Sequence, residues 1–120
     1  LFLDTPIYGA HSSAVDCLWA GTPVLTAPGP VFSSRGAATL LNTMGISELV
    51  ATDFNEFEKI AIHLGHDPAS RAKFRDKVTN ARGKLFNAAV WVSDLERAYA
   101  EMWALYGSGK PPEDIQPGRL

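Results

Sequence analysis

The sequence predicts an α/β fold with a parallel sheet and right-handed crossovers, ending in packed helices. Three observations carry this. Short apolar runs alternate with stretches of helical periodicity, in the order strand, helix, strand, helix, strand and then helices. Ser or Asp opens the helical stretches, and Gly closes most of them. The 120 residues are 46% hydrophobic and 20% charged, which suits one globular domain and is too little for two.

Each element has its own signal. Residues 1–4 read as a strand, because Leu1-Phe2-Leu3 is apolar and Thr5-Pro6 stops it after Asp4. Residues 7–13 are a loop of small and polar residues. Ser13 is the expected N-cap of a helix over 14–20. Gly21 suits a left-handed cap at its end, and Thr22-Pro23 prevents continuation. Residues 24–26 are a second strand, closed by Pro28-Gly29-Pro30. Ser33 or Ser34 caps the next helix, in which Ala37, Leu40, Leu41 and Met44 recur at helical spacing before Gly45.

Residues 48–51 are a third short strand. Asp53 opens a further helix, with Glu56 completing a capping box. Phe57, Ile60, Ala61 and Leu64 form its buried stripe, and Gly65 stops it. Asp67-Pro68 opens another helix with a thin apolar face of Phe74, Val78 and Ala81. The last helix is expected from Ser93, with Glu96 as its capping partner. Its expected buried residues are Leu95, Ala98, Tyr99, Met102 and Leu105 or Tyr106. From Gly107 the chain lacks apolar periodicity, so the reading is a lobe over 1–106 and a flexible tail over 107–120. Three short strands make a small sheet, and a parallel sheet needs cover on both faces. Either the sheet is an unusually small one, or its remaining strands lie upstream of Leu1.

Composition excludes several classes. A net charge of −2 argues against a general nucleic-acid binder. A single cysteine forms no internal disulfide and fits a reducing compartment. No apolar run approaches the roughly 20 residues of a membrane span.

In open α/β sheets, ligands bind outside the carboxyl ends of the strands. The loop after Asp4 delivers His11, Ser12 and Ser13 to the start of a helix. Free N–H groups and the helix dipole suit a phosphate there, and two hydroxyls and an imidazole add donors. Asp16, one turn into the helix, suits hydrogen bonds from sugar hydroxyls. The same spacing also fits a plain Ser13–Asp16 capping box beside an ordinary loop histidine. Both readings stand open on spacing alone. No G-x-G-x-x-G or Walker pattern is present.

Other residues carry weaker signals. Arg35 suits either a phosphate or a surface ion pair. His63 and His66 lack a third ligand for zinc. Cys17 sits among apolar helix residues, as a core position does. Arg71, Lys73, Arg75, Lys77, Arg82 and Lys84 read as a solvated helix face, with an acidic partner as the other reading. Trp19, Trp91 and Trp103 are expected in the core.

The blocks Leu3-Asp4-Thr5-Pro6, Gly9-Ala10-His11-Ser12-Ser13-Ala14-Val15-Asp16, Leu18-Trp19-Ala20-Gly21-Thr22-Pro23-Val24 and Pro28-Gly29 resemble the nucleotide-binding stretch of O-linked N-acetylglucosamine (O-GlcNAc) transferases. The resemblance continues through Ser34-Arg35, Leu64-Gly65, Leu85-Phe86-Asn87, Leu95-Glu96-Arg97 and Met102-Trp103, up to about Pro111. It implies a Rossmann-like parallel sheet in the C-terminal lobe of a GT-B glycosyltransferase. It implies UDP-N-acetylglucosamine (UDP-GlcNAc) as donor, Ser and Thr hydroxyls of cytoplasmic and nuclear proteins as acceptors, inversion at the sugar and no metal or other cofactor. His11, Ser12 and Ser13 would hold the pyrophosphate, and Asp16 the ribose. The catalytic side chains would lie upstream of Leu1, in a second lobe preceded by helical repeats of about 34 residues.

Four positions depart from the family pattern. Ser12 and Ser13 stand where threonines are frequent, and the hydroxyls survive. Ala10 stands where Gly is common, and would be strained if that position had a positive φ. Tyr8 replaces a smaller residue near the donor sugar. The related plant-type protein O-fucosyltransferases use GDP-fucose and favour a tyrosine near this point. They carry a Thr-rich run in place of His11 and a Glu in place of Asp16, so His11, Asp16 and Trp19 favour the N-acetylglucosamine branch. A non-catalytic nucleotide-sugar-binding module is the remaining alternative.

Overall fold

Two strands of the computed structural model pair in parallel: β1 (Phe2–Leu3) lies beside β2 (Val24–Leu25), with Phe2 opposite Val24 and Leu3 opposite Leu25. The Phe2 N–H donates to Pro23 O at 2.8 Å and the Asp4 N–H to Leu25 O at 2.9 Å. The expected third strand is reduced to one bridge, Thr26 to Val50. It is held by the Thr26 N–H on Leu49 O at 3.0 Å and the Ala51 N–H on Thr26 O at 2.8 Å. Just before it, Ser47–Leu49 closes into a 3-10 turn. Ile46 and Leu49 are both buried, and their spacing of three is the 3-10 period rather than strand alternation.

The structure describes residues 1–114. These fall into two compact units, Leu1–Phe86 and the segment from Asn87 onward. The change of composition at Gly107 lies inside the second unit.

In the first unit, α1 (Ser12–Trp19) connects the two strands, and α2 (Gly36–Met44) comes after β2. Gly21 at φ 78° and Gly45 at φ 74° take the left-handed conformation that their places after these helices require. The expected Ser33 or Ser34 cap of α2 is not made. Phe32–Ser34 instead forms a 3-10 turn, the Ser34 hydroxyl donates to Val31 O at 2.8 Å, and Arg35 stands at the N-cap without a side-chain bond.

Asp53 accepts the Glu56 N–H at 2.8 Å and opens α3 (Phe54–His66). Glu56 reaches back past Asp53 to the N–H and hydroxyl of Thr52, both at 2.6 Å. The helix runs through Gly65 to His66, because Asp67 begins the next cap only there. Asp67 accepts the Ser70 N–H at 3.0 Å, and Pro68 opens α4 (Pro68–Leu85).

The core is one cluster in which Leu18, Val24, Leu25, Leu41, Met44, Leu49, Leu64 and Val78 are each at most 1% exposed. Burial of such side chains, about 1.5–3 kcal/mol each, is what holds these short elements together. The helix α4 packs across α1, α2 and α3 with Phe74, Val78, Ala81 and Leu85. Three of its basic residues serve the fold. Arg71 caps the end of α3 through Leu64 O and Gly65 O, Lys77 pairs with Glu48, and Arg82 lies over Trp19 at 5.9 Å.

Trp19 is 61% exposed, edge-on to Phe86, and is not the core residue expected. Cys17 is half-buried against the core.

The second unit consists of α5 (Ala88–Gly107) and the short stretch after it. The helix starts before the expected Ser93, because Asn87 accepts the Val90 N–H at 3.3 Å and caps it first. Ser93 and Glu96 therefore lie within the helix. None of its residues is buried: Tyr99, Met102 and Tyr106 are exposed, as are Trp91 and Trp103. The expected stripe is present in sequence, but its own unit offers only the residues after the helix to cover it. There Met102, Leu105 and Tyr106 line a cavity with Pro112. Residues 110–114 have no regular structure, and the rest of the expected tail, 115–120, lies outside the described residues. Among the described residues, no helix is long and apolar enough to cross a membrane.

The caps carry a pH signature. Hydrogen bonds from Thr52 hold the Glu56 carboxyl below its usual 4.5, and those from Ser70 hold Asp67 below its usual 3.8. A lowered folded value gives stability that is complete above the unfolded value and is lost as pH falls through the folded one. Thermal unfolding between pH 6 and 3 is expected to show a falling midpoint in the acid half of that range, with a shallower fall in Glu56→Gln. Equal slopes for the two proteins would refute the assignment.

Candidate functional site

The site begins with a buried carboxylate. Asp4, at the carboxyl end of β1, is 7% exposed and accepts three hydrogen bonds. Its Oδ1 takes the N–H groups of Thr5 at 2.8 Å and Ala10 at 2.6 Å, and its Oδ2 takes the Thr26 hydroxyl at 2.7 Å. A chain that would otherwise drift away from the sheet is thus folded back so that Ala10 returns to the strand end. Thr5 closes the turn further by donating its hydroxyl to Tyr8 O at 2.6 Å.

Gly9 fits into this fold-back because it has no side chain. A Cβ there would lie 3.2 Å from Asp4 Oδ2 and 3.3 Å from Ser33 O. Neither Gly9 nor Ala10 has a positive φ. The condition for strain at Ala10 is therefore not met, and close approach, not backbone conformation, explains Gly9.

The return places His11 at the N-cap of α1, with no side-chain cap bond. The expected Ser13–Asp16 capping box is not formed, since the helix begins at Ser12 and Ser13 is already inside it. The first bond of the helix runs from the Val15 N–H to His11 O at 3.1 Å. The N–H groups of Ser12, Ser13 and Ala14 lie ahead of it. Ser12, Ser13 and Asp16 are exposed. The structure therefore gathers the four residues that the sequence singled out, His11, Ser12, Ser13 and Asp16, onto one helix end.

The loop after β2 supplies the other wall. The His11 imidazole sits 5.5 Å from the Tyr8 ring and 6.0 Å from the Phe32 ring. It lies over Gly36, where a Cβ would be 2.1 Å from His11 Cδ2. Among the described residues, its Nε2 is buried without a hydrogen-bond partner. Arg35, next to Gly36, is exposed and, among the described residues, belongs to no ion pair.

The remaining candidates lie elsewhere. His63 is 3.9 Å from Asp67, and the described residues contain no group of His, Cys, Asp and Glu suited to a metal. Sequence reasoning missed Asp4, Thr26 and Gly36 as parts of the site. The available signal was a carboxylate closing an otherwise apolar strand.

The fold is a small α/β lobe, a short parallel sheet with its helices, of the kind found in the C-terminal half of the GT-B fold. The chain matches a mutant of the O-GlcNAc transferase of Thermobaculum terrenum with a TM-score of 0.77 and 32% identity, over 84% of this chain and 20% of that one. The sequence profile of glycosyl transferase family 41 matches residues 1–95, and the chain belongs to that family.

Among named relatives, it is 39% identical over 115 residues to the UDP-N-acetylglucosamine–peptide N-acetylglucosaminyltransferase of Caenorhabditis elegans, covering 94% of this chain and 10% of the relative. It is 32% identical over 119 residues to the probable enzyme of the same kind, SEC, of Arabidopsis thaliana, covering 97% and 12%. The chain thus spans about a tenth of the length of these relatives.

Removing the Asp4 carboxylate should loosen the loop and the sheet together. Asp4→Ala is expected to cost roughly 2–4 kcal/mol, from about 1–3 kcal/mol per buried donor left unpaired. Thr26→Val removes one donor and leaves the backbone bonds in place, so about 1 kcal/mol is expected. Urea unfolding of the two variants gives the comparison; equal losses would show that the Ala10 bond contributes nothing.

Proposed function

We propose that the complete gene product is a protein O-GlcNAc transferase, and that this segment holds the diphosphate of its donor. The reaction is inverting transfer of N-acetylglucosamine from UDP-GlcNAc to Ser or Thr hydroxyls of proteins. One observation carries the assignment to this segment: the N-terminus of α1 is open, lacks a side-chain cap and is flanked by His11, Ser12 and Ser13. The names of the Caenorhabditis and Arabidopsis relatives support the donor and the peptide acceptor.

The chemistry comes from charge. As the glycosidic bond to phosphate breaks, negative charge grows on the leaving diphosphate. A helix N-terminus, equivalent to roughly half a positive charge, stabilises that charge, and preorganised donors do so without reorganising. The Ser12 and Ser13 hydroxyls and the N–H groups ahead of the Val15 bond supply those donors, and the His11 imidazole adds another. Asp16, exposed on the same turn, accepts from the ribose hydroxyls. The reading assigns no metal to this segment. The opposite wall of the cleft and the groups acting on the acceptor belong to the rest of the catalytic region. A single cysteine supports action in a reducing compartment, the cytoplasm and nucleus.

A second reading rests on Tyr8, which is 70% exposed beside His11. A phenol at this point suits a donor without an N-acetyl group, such as the GDP-fucose of plant-type protein O-fucosyltransferases.

In the complete gene product, His11→Ala is expected to lower kcat/KM for UDP-GlcNAc by about 10- to 100-fold. This rests on roughly 1.5–3 kcal/mol for a hydrogen bond to a charged group. Its melting temperature should stay unchanged. Full activity at normal stability would remove His11 from the site. UDP, but not GDP, should raise the melting temperature. The reverse would favour the fucose donor, and UDP binding without any transfer would favour a binding module.

A further inference from the structure

Gly36 opens α2, and its place in the structure is explained by His11. A Cβ at this position would lie 2.1 Å from His11 Cδ2, 2.7 Å from His11 Nε2 and 3.2 Å from Ala10 O. The first two distances are far inside van der Waals contact, so the imidazole occupies the space that any side chain at Gly36 would need. The usual reason for a glycine does not apply, because Gly36 has no positive φ.

The ring is confined on other sides as well. Tyr8 lies 5.5 Å away, Phe32 6.0 Å away, and the planes are tilted by 57° and 48°. Within this slot Nε2 is, among the described residues, sealed off and unpaired, whereas Nδ1 lies on the ring edge away from Gly36. The slot thus fixes which ring nitrogen remains available to a ligand.

We infer that Gly36 is a positioning residue for His11: by lacking a side chain it admits the imidazole to a slot against α2, turns Nε2 inward and leaves Nδ1 to meet the donor's diphosphate. The role of Nδ1 rests on the donor-binding function proposed above; the seating of the ring on Gly36 does not. Adding one methyl group at residue 36 evicts the ring and presses only slightly on the backbone, at Ala10 O, while the helical conformation itself suits Ala better than Gly.

The test is Gly36→Ala in the complete gene product, alone and combined with His11→Ala. Misplacing a group by about 1 Å costs up to roughly 100-fold in rate. Gly36→Ala alone is therefore expected to lower kcat/KM for UDP-GlcNAc by about 10- to 100-fold, with an equal or higher melting temperature. In the His11→Ala background it should cause no further loss. Full activity of Gly36→Ala where His11→Ala is impaired, or the same loss with and without His11, overturns the inference.

Labelling the histidines with carbon-13 gives a readout independent of activity, with the His11 resonance assigned by its disappearance in His11→Ala. A shift of that resonance in Gly36→Ala supports the seating, and an unmoved resonance refutes it. If His11→Ala is fully active while the resonance still moves, the donor-binding reading fails and the seating stands.

Discussion

The Asp4 carboxylate is the constraint on which the rest of the site depends. It is an acid at the end of an apolar strand, taken almost wholly out of water. An unpaired carboxylate in that place would be strongly unfavourable, so its hydrogen bonds are obligatory rather than optional. Two of its donors come from the loop after β1 and one from the residue after β2. The same group therefore ties strand to strand and strand to loop. It also sets where the loop ends, and so which residue opens α1.

The core around it is small and has little redundancy. The two strands contribute two residues each, and a single bridge stands in for a third strand. Such a sheet has no ladder long enough to fix its own register, and burial takes over that task. Val24 and Leu25 are both fully enclosed, as strands covered on both faces are. The helices α1 and α3 pack on β2, and Leu18 and Leu64 join Val24 and Leu25 in the core. The basic residues of α4 fit the same pattern. Arg71, Lys77 and Arg82 each meet a carbonyl, a carboxylate or an aromatic ring of this unit. A run that reads as a charged face in sequence is in part a set of clamps.

The range of each interaction decided whether it was legible in the sequence. Caps formed by a side chain and an N–H three residues away are local, and the Asp53 and Asp67 caps were readable as spacing. The left-handed glycines after α1 and α2 were readable for the same reason. The four residues gathered at the end of α1 were found because they share a short loop. Asp4 and Thr26 are 22 positions apart, and nothing in either neighbourhood announces their bond. Gly36 is read only when His11 is seen above it. The last helix misled for a different reason. Ser93 and Glu96 have capping-box spacing, but Asn87 captured the helix start first. Its apolar stripe has the right period for burial, yet periodicity states which face is apolar and not what covers it.

The pattern of caps across the chain separates structure from function. The helices α3, α4 and α5 each begin with a side chain that accepts an N–H of the first turn. The helices α1 and α2 do not, and they are the two that begin in the loops leaving β1 and β2. Side-chain caps are worth about 1 kcal/mol each, and serines stand within reach at both uncapped ends. At α1 the loop is drawn in by Asp4 until Ser12 and Ser13 are helical and cannot cap. At α2 the Ser34 hydroxyl is committed to Val31 O. The chain thus forgoes stabilisation at the two α-helix ends nearest the carboxyl edge of its sheet and takes it at α3, α4 and α5. Departures from local rules concentrated at one place are what a functional site, rather than poor folding, produces. On the donor-binding function proposed above, the uncapped end of α1 keeps its N–H groups free for an incoming anion, which then supplies the acceptor that the sequence withholds.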